Sequence, residues 1–244
     1  QHAIHFQPGV NEELAATAVW GSQQTNLFPG ARYDGVFAMW YGKGPGVDRA
    51  GDVFKHANAA GVSPKGGVLL LAGDDHGCKS STLPHQSEHA FIAASIPVLN
   101  PANVQEILDY GIIGWELSRY SGCWVALKTI AENVDSSAVV DVDPLRIQIR
   151  IPEDFQLPED GVHIRWPDPP PWLRKNASTS TRSTLHAPLP WPTTSTRSSS
   201  IRPTRVWASS PPVSPTSMCA RLWMTSVWTR RCAPRSACAC SRWA

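Results

Sequence analysis

Gly9-Val10-Asn11-Glu12-Glu13-Leu14-Ala15-Ala16-Thr17-Ala18-Val19-Trp20-Gly21 is the stretch on which the reading of the fold turns. Asn11 is a strong N-cap residue, because its side-chain oxygen can accept an orphan backbone N–H of a first helical turn. Glu12 and Glu13 follow in that turn, where negative charge suits the positive end of the helix dipole. Leu14, Ala15, Ala18 and Val19 recur at helical spacing and predict one apolar face. Upstream, Ile4, Phe6 and Val10 alternate with polar residues as the end of a strand does. The layout is strand, short Pro-Gly turn and capped helix, with a carboxylate at the junction. In open α/β sheets that junction is where ligands bind. Glu12 therefore has two readings, a plain helix-start carboxylate or a ligand-facing group.

Working outward, residues 34–41 and 67–72 read as buried strands, the second apolar on both faces as parallel strands are. A helix is expected over 48–60, with Val53, Phe54 and Ala57 on one face and Gly61 as its stop. Another is expected over 85–95, then a short strand over 96–99. A helix from Pro101 to about Arg119 follows, then a β-rich run over 123–130. Residues 145–151 alternate apolar and polar as a half-exposed strand does. Strands alternating with helices predict an α/β fold with a mostly parallel sheet flanked by helices.

Two further stretches sit where a parallel sheet places its chemistry. Gly42-Lys43-Gly44-Pro45-Gly46 follows a strand and precedes a helix, so its backbone N–H groups can cradle an anion. Its spacing is neither that of a P-loop nor that of a dinucleotide fingerprint. Lys43 is either a counter-charge for an anionic ligand or a solvated lysine. Gly73-Asp74-Asp75-His76-Gly77-Cys78-Lys79-Ser80-Ser81 gathers two carboxylates, an imidazole and a thiol at the end of the strongest strand. Convergent polar groups there read as a site; the plainer reading is a polar turn. His76 and Cys78 are possible metal ligands, and His85 and His89 lie one helical turn apart. None matches a metal motif, and no metal is assigned.

Together the capped helix with Glu12, the Gly42–Asp48 stretch and the Gly73–Ser81 stretch resemble the pyrimidine-binding domain of 2-oxoacid:ferredoxin oxidoreductases, nearest to the fused indolepyruvate type. The resemblance covers residues 1–168. It implies an oxidoreductase of pyruvate-type metabolism that uses thiamine diphosphate, with Glu12 as the catalytic carboxylate bonded to the cofactor's pyrimidine nitrogen. It further implies cofactor contacts at Gly42, Lys43, Gly44, Asp74, Asp75, His76 and Cys78. A 2-oxoacid such as indolepyruvate would be decarboxylated oxidatively to an acyl-coenzyme A, with ferredoxin taking the electrons. Mg2+ and iron–sulfur clusters would be bound by parts absent from this chain, since it has no Cys-x-x-Cys-x-x-Cys run. The intact enzyme is expected to be a homo-oligomer completed by further domains or subunits. The chain opens inside a strand without Met and is expected to be an incomplete, inactive fragment. It shows neither a signal peptide nor a membrane-length apolar run, so no membrane partner and a cytoplasmic location are expected.

Charge divides the chain at Asp168. Up to and including it lie 11 basic and all 20 acidic residues, a formal charge of −9; after it lie 11 basic residues and no acidic ones, +11. Residues 169–244 also lack Gly, Tyr, Phe and Gln. Without regular apolar faces such a tail cannot offset its chain entropy, so low-complexity disorder is expected. Its composition suits a frameshift product beginning near 169–173. The rival reading makes the protein a non-catalytic α/β binding module whose basic tail, with Trp interleaved, binds nucleic acid. Cys219, Cys232, Cys238 and Cys240 have no matched metal spacing.

Overall fold

The computed structural model describes residues 4–151, 161–165 and 226–231. In chain order the elements are β1 (Ile4–Pro8), α1 (Glu12–Gln23), β2 (Val36–Lys43), α2 (Gly44–Arg49), α3 (Gly51–Ala60) and β3 (Gly67–Asp74). Then come α4 (Glu88–Ala93), β4 (Val98–Leu99), α5 (Val104–Ser121), β5 (Val125–Ile130), α6 (Ala131–Val134) and β6 (Ser226–Arg231). The strand order is β1-β6-β2-β3-β5-β4. β2, β3, β5 and β4 run parallel, as the alternation of strands and helices predicts. β6 is antiparallel to both β1 and β2.

The sheet is sandwiched between helices. On one face Ala38, Trp40, Val68, Leu70 and Ala72 pack with α1, α3 and α4 residues around Phe54 and Phe91. On the other, Leu69, Val125 and Leu127 meet Leu117, Tyr110 and Trp115 of α5. β2 alternates buried and half-buried side chains, whereas β3 is buried almost throughout, which explains their different sequence patterns. Each large apolar side chain sealed in these layers contributes about 1.5–3 kcal/mol. A Cβ at Gly114 would stand 2.7 Å from Leu69 Cδ1, so the missing side chain lets α5 lie close on β3.

Polar staples fix the layers. Asn58 of α3, buried, donates to the carbonyls of Ala94 and Ser95, each at 2.9 Å, and accepts from the Trp124 N–H at 2.9 Å. Ser118 of α5 accepts from Val68 N–H at 2.9 Å and donates to the Cys123 carbonyl at 2.5 Å. Both α1 and α5 begin on an asparagine cap, with Asn11 accepting from Leu14 N–H and Asn103 from Glu106 N–H.

Five expectations need correction, the first being the helix over 48–60, which breaks at Ala50 so that α2 ends at Arg49 and α3 starts at Gly51. The buried stripe of α1 is Ala15, Ala16, Val19 and Gln23, while Leu14 is 53% exposed, because the helix is rotated to seat its alanines on the sheet. The Gly42–Gly46 stretch is no loop: β2 runs to Lys43 and α2 starts at once on Gly44. The helix expected from His85 starts at Glu88, since Ser87 and His85 are drawn to Asp74 instead. Residues 145–151 form no strand. A 3-10 turn spans Pro144–Arg146, and Arg146 pairs with Asp109 of α5, which holds the segment on that helix instead of a sheet edge.

Six residues of the basic tail, Ser226–Arg231, form β6. The rest of the tail, with the four cysteines noted above, and the nucleic-acid-binding reading of it lie outside the described residues.

Candidate functional site

The carboxyl ends of β2 and β3 are crossed by α2, and the sequence-selected residues gather there. Glu12 opens α1 with its side chain 30% exposed. Its backbone carbonyl accepts from the Trp40 indole N–H at 3.1 Å, tying the helix start to β2. Its side chain lies against Gly46 of α2, where any Cβ would overlap the Glu12 Cγ. Arg49, at the end of α2, brings Nε to 3.8 Å from Glu12 Oε2. Among the described residues the Glu12 carboxylate accepts no hydrogen bond, and Arg49 is its ion-pair partner.

Gly42 and Gly44 are required by their neighbours. A Cβ at Gly42 would stand 2.7 Å from the Trp40 ring, and one at Gly44 would overlap the His85 ring. Lys43, between them, donates from Nζ to the Ser80 carbonyl at 2.6 Å and to its hydroxyl at 3.0 Å. The lysine thus ties β2 to the loop that follows β3.

Asp74 and Asp75 are adjacent in sequence but play different parts. Asp74 has a fully buried side chain. It accepts from Ser87 N–H at 2.8 Å and from the Ser87 hydroxyl at 2.5 Å. His85 Nδ1 lies 3.3 Å and Lys128 Nζ 3.6 Å from it. Asp75 faces the loop, accepting from Lys79 and Ser80 N–H at 2.8 Å each. Burial pushes the Asp75 carboxyl up, but the N–H bonds from Ser80 and Lys79 and the Lys43 charge outweigh it and leave it below its ordinary value. His76 sits with Nδ1 2.9 Å from the His85 carbonyl. Cys78 is a free, half-buried thiol at φ 53, a left-handed backbone unusual for a residue with a side chain. Lys79 reaches Glu132 of α6 at 2.7 Å and closes the loop over the end of β5.

His85, noted in the sequence only for its spacing from His89, and Lys128, which no motif marked, complete the arrangement. His85 places Nε2 at 2.7 Å from Asp48 Oδ2 of α2, as well as Nδ1 beside Asp74. Lys128 of β5, its side chain 6% exposed, donates to both carboxylate oxygens of Glu88 at 2.8 and 2.9 Å. Burial pushes the Glu88 carboxyl up, but the Lys128 hydrogen bond, its own backbone N–H and the Lys128 charge together outweigh this and hold it low. The signal for Lys128 was present in the sequence. A lysine inside an apolar strand run must find buried acids, because burying a charge without a partner is costly. His85 and His89 do not pair: His85 precedes α4 and its ring turns to the two aspartates. Among the described residues no group of three or more His, Cys, Asp or Glu could hold a metal ion.

A carboxylate at a helix start beside the sheet's carboxyl end suits a ligand bearing a hydrogen-bond donor. It fits the acidic contact that an aminopyrimidine ring requires, on the donor set alone. The chain is 28% identical to the indolepyruvate oxidoreductase subunit IorA of Methanothermobacter marburgensis over 145 residues, 59% of this chain and 22% of that protein. The IorA subunit of Archaeoglobus fulgidus is 32% identical over 114 residues, 46% of this chain and 18% of that protein. That of Pyrococcus abyssi is 33% identical over 99 residues, 41% and 15% respectively. The chain is similar to indolepyruvate oxidoreductase subunit IorA. It spans about a fifth of the length of the first two of these relatives. No family model matches the chain, and no solved structure matches it. Among the described residues no helix is long and apolar enough to cross a membrane.

Proposed function

We propose that the chain supplies the pyrimidine-side half of a thiamine diphosphate site in an indolepyruvate ferredoxin oxidoreductase, with Glu12 as the carboxylate that meets the cofactor. The observation that carries this reading is the Glu12 carboxylate, fixed at its backbone by Trp40 and packed on Gly46, yet accepting no hydrogen bond among the described residues. Similarity to the IorA subunits supports the enzyme class. When bound, thiamine diphosphate supplies the carbanion chemistry that cleaves 2-oxoacids, and the protein supplies binding, orientation and electrostatics.

The chain's own residues have separable tasks. Glu12 accepts a hydrogen bond from a protonated ring nitrogen of the ligand. Arg49 balances its negative charge from one side. Gly42, Lys43 and Gly44 form the wall between Glu12 and the loop after β3. Asp75, His76 and Cys78 shape that loop. Asp74, saturated by Ser87, His85 and Lys128, acts from beneath the surface and does not touch the ligand. The remaining machinery, with Mg2+ and iron–sulfur clusters, belongs to other domains or subunits, and the substrates are a 2-oxoacid, coenzyme A and ferredoxin in a cytoplasmic enzyme.

A half site makes a direct prediction. The purified chain assayed with indolepyruvate, coenzyme A and ferredoxin shows no turnover, even with thiamine diphosphate and Mg2+ added. Turnover by the chain alone would refute the half-site assignment.

A further inference from the structure

We propose that His85 is a positioning residue: its ring clamps α2 and so sets the place of Glu12, an inference that rests on the reading of Glu12 given above. The ring is gripped on both nitrogens, with Nε2 at 2.7 Å from Asp48 and Nδ1 at 3.3 Å from Asp74. One of those partners is immobile. Asp74 is fully buried and held by Ser87 and, more distantly, Lys128. The other, Asp48, has a side chain 64% exposed.

The backbone of His85 is anchored separately, its N–H donating to the Asp75 carbonyl at 3.2 Å and its carbonyl facing His76 Nδ1 at 2.9 Å. The ring therefore acts from a fixed base. It touches α2 at both ends, lying in the space Gly44 leaves and bonding Asp48 four residues on. Between those points Gly46 abuts the Glu12 side chain, and just beyond them Arg49 approaches its carboxylate. α2 is only six residues long, so a shift of the helix moves the surface on which Glu12 rests. Val47 and Ala50 are fully buried, which keeps α2 docked without the clamp. The ring thus controls the setting of the helix more than its presence.

Trp40 supplies the readout, because its indole N–H donates to the Glu12 carbonyl. The test follows the Trp40 indole N–H cross-peak of the full 15N-labelled chain, assigned by its loss in Trp40→Phe. Asp48→Ala and His85→Ala are both expected to shift or broaden that peak. Asp48→Ala truncates an exposed side chain, removing the acceptor that an asparagine would keep, and is expected to retain the wild-type urea midpoint, so it remains informative should His85→Ala fail to fold. A peak that stays in place in Asp48→Ala overturns the clamp, whatever the variant's stability. Calorimetric titration of Glu12→Gln with thiamine diphosphate separates the two ideas. Wild-type affinity there, with a moved Trp40 peak, removes the ligand role of Glu12 and leaves the clamp standing. Lost affinity with an unmoved peak does the reverse.

Discussion

Glu12 shows how one residue can carry a cap-like position and an open carboxylate together. Capping of α1 falls to Asn11, which accepts from Leu14 N–H at 2.9 Å and leaves Glu12 to face α2. The glycine beneath it is the sensitive point. In Gly46→Ala the new Cβ has no room beside the Glu12 Cγ, so the glutamate side chain must move. Such overpacking costs about 1–3 kcal/mol, less the small helical gain of alanine. Urea unfolding should register this loss, and the Trp40 indole signal should move with it. Lys128 makes a second residue-scale prediction. Lys128→Met leaves Asp74 buried without its cation, and breaking a buried pair in this way costs about 3–5 kcal/mol. A urea midpoint equal to wild type would show that Ser87 and His85 alone satisfy Asp74.

At the scale of elements, the sequence announced β2, β3, α3, α5 and β5, because apolar period and caps agree there. It misled where tertiary contacts compete with local pattern. The alternation over 145–151 is strand-like, yet the Arg146 contact with Asp109 decides its course. The rotation of α1 was illegible because alanines at 15, 16 and 18 make several apolar faces nearly equivalent, and only the sheet selects one. Glu12 and the Gly73–Ser81 loop were readable as site candidates. The link between them was not, since Asp48, His85 and Lys128 are separated by 37 and 43 residues and meet only after folding. Asn58 gives the element-scale prediction. It joins α3 to the end of α4 and to β5 by three hydrogen bonds. Asn58→Ala orphans three backbone groups at about 1–3 kcal/mol for each that water cannot reach. A loss under about 1 kcal/mol on urea unfolding would show that water takes the place of the amide.

For the whole molecule, pH dependence follows from groups whose folded values are displaced. Asp75, Glu88 and Glu132 are all held below their ordinary values, Glu132 chiefly by its hydrogen bond from Lys79. The unfolded chain therefore binds protons more readily than the folded one in acid. Their stabilisation is present above the ordinary carboxyl values of 3.8 and 4.5 and is lost as pH falls below them. The urea midpoint should fall through that window, and less steeply in Glu88→Gln. At the alkaline end, burial and then the Glu106 carboxylate push Tyr110 up to about 12. Its contribution is present below 10 and lost as pH rises towards about 12. Ultraviolet titration should show one tyrosine ionising late.

The same architecture delivers α1, α2 and the loop after β3 to one end of the parallel sheet, where Glu12 stands beside Arg49. The most direct measurement is calorimetric titration of the full chain with thiamine diphosphate, wild type against Glu12→Gln. A hydrogen bond to a charged group contributes about 1.5–3 kcal/mol, so the substitution should weaken binding by about tenfold to hundredfold. Equal affinities for the two proteins would contradict the assignment of Glu12 as the residue that meets the cofactor.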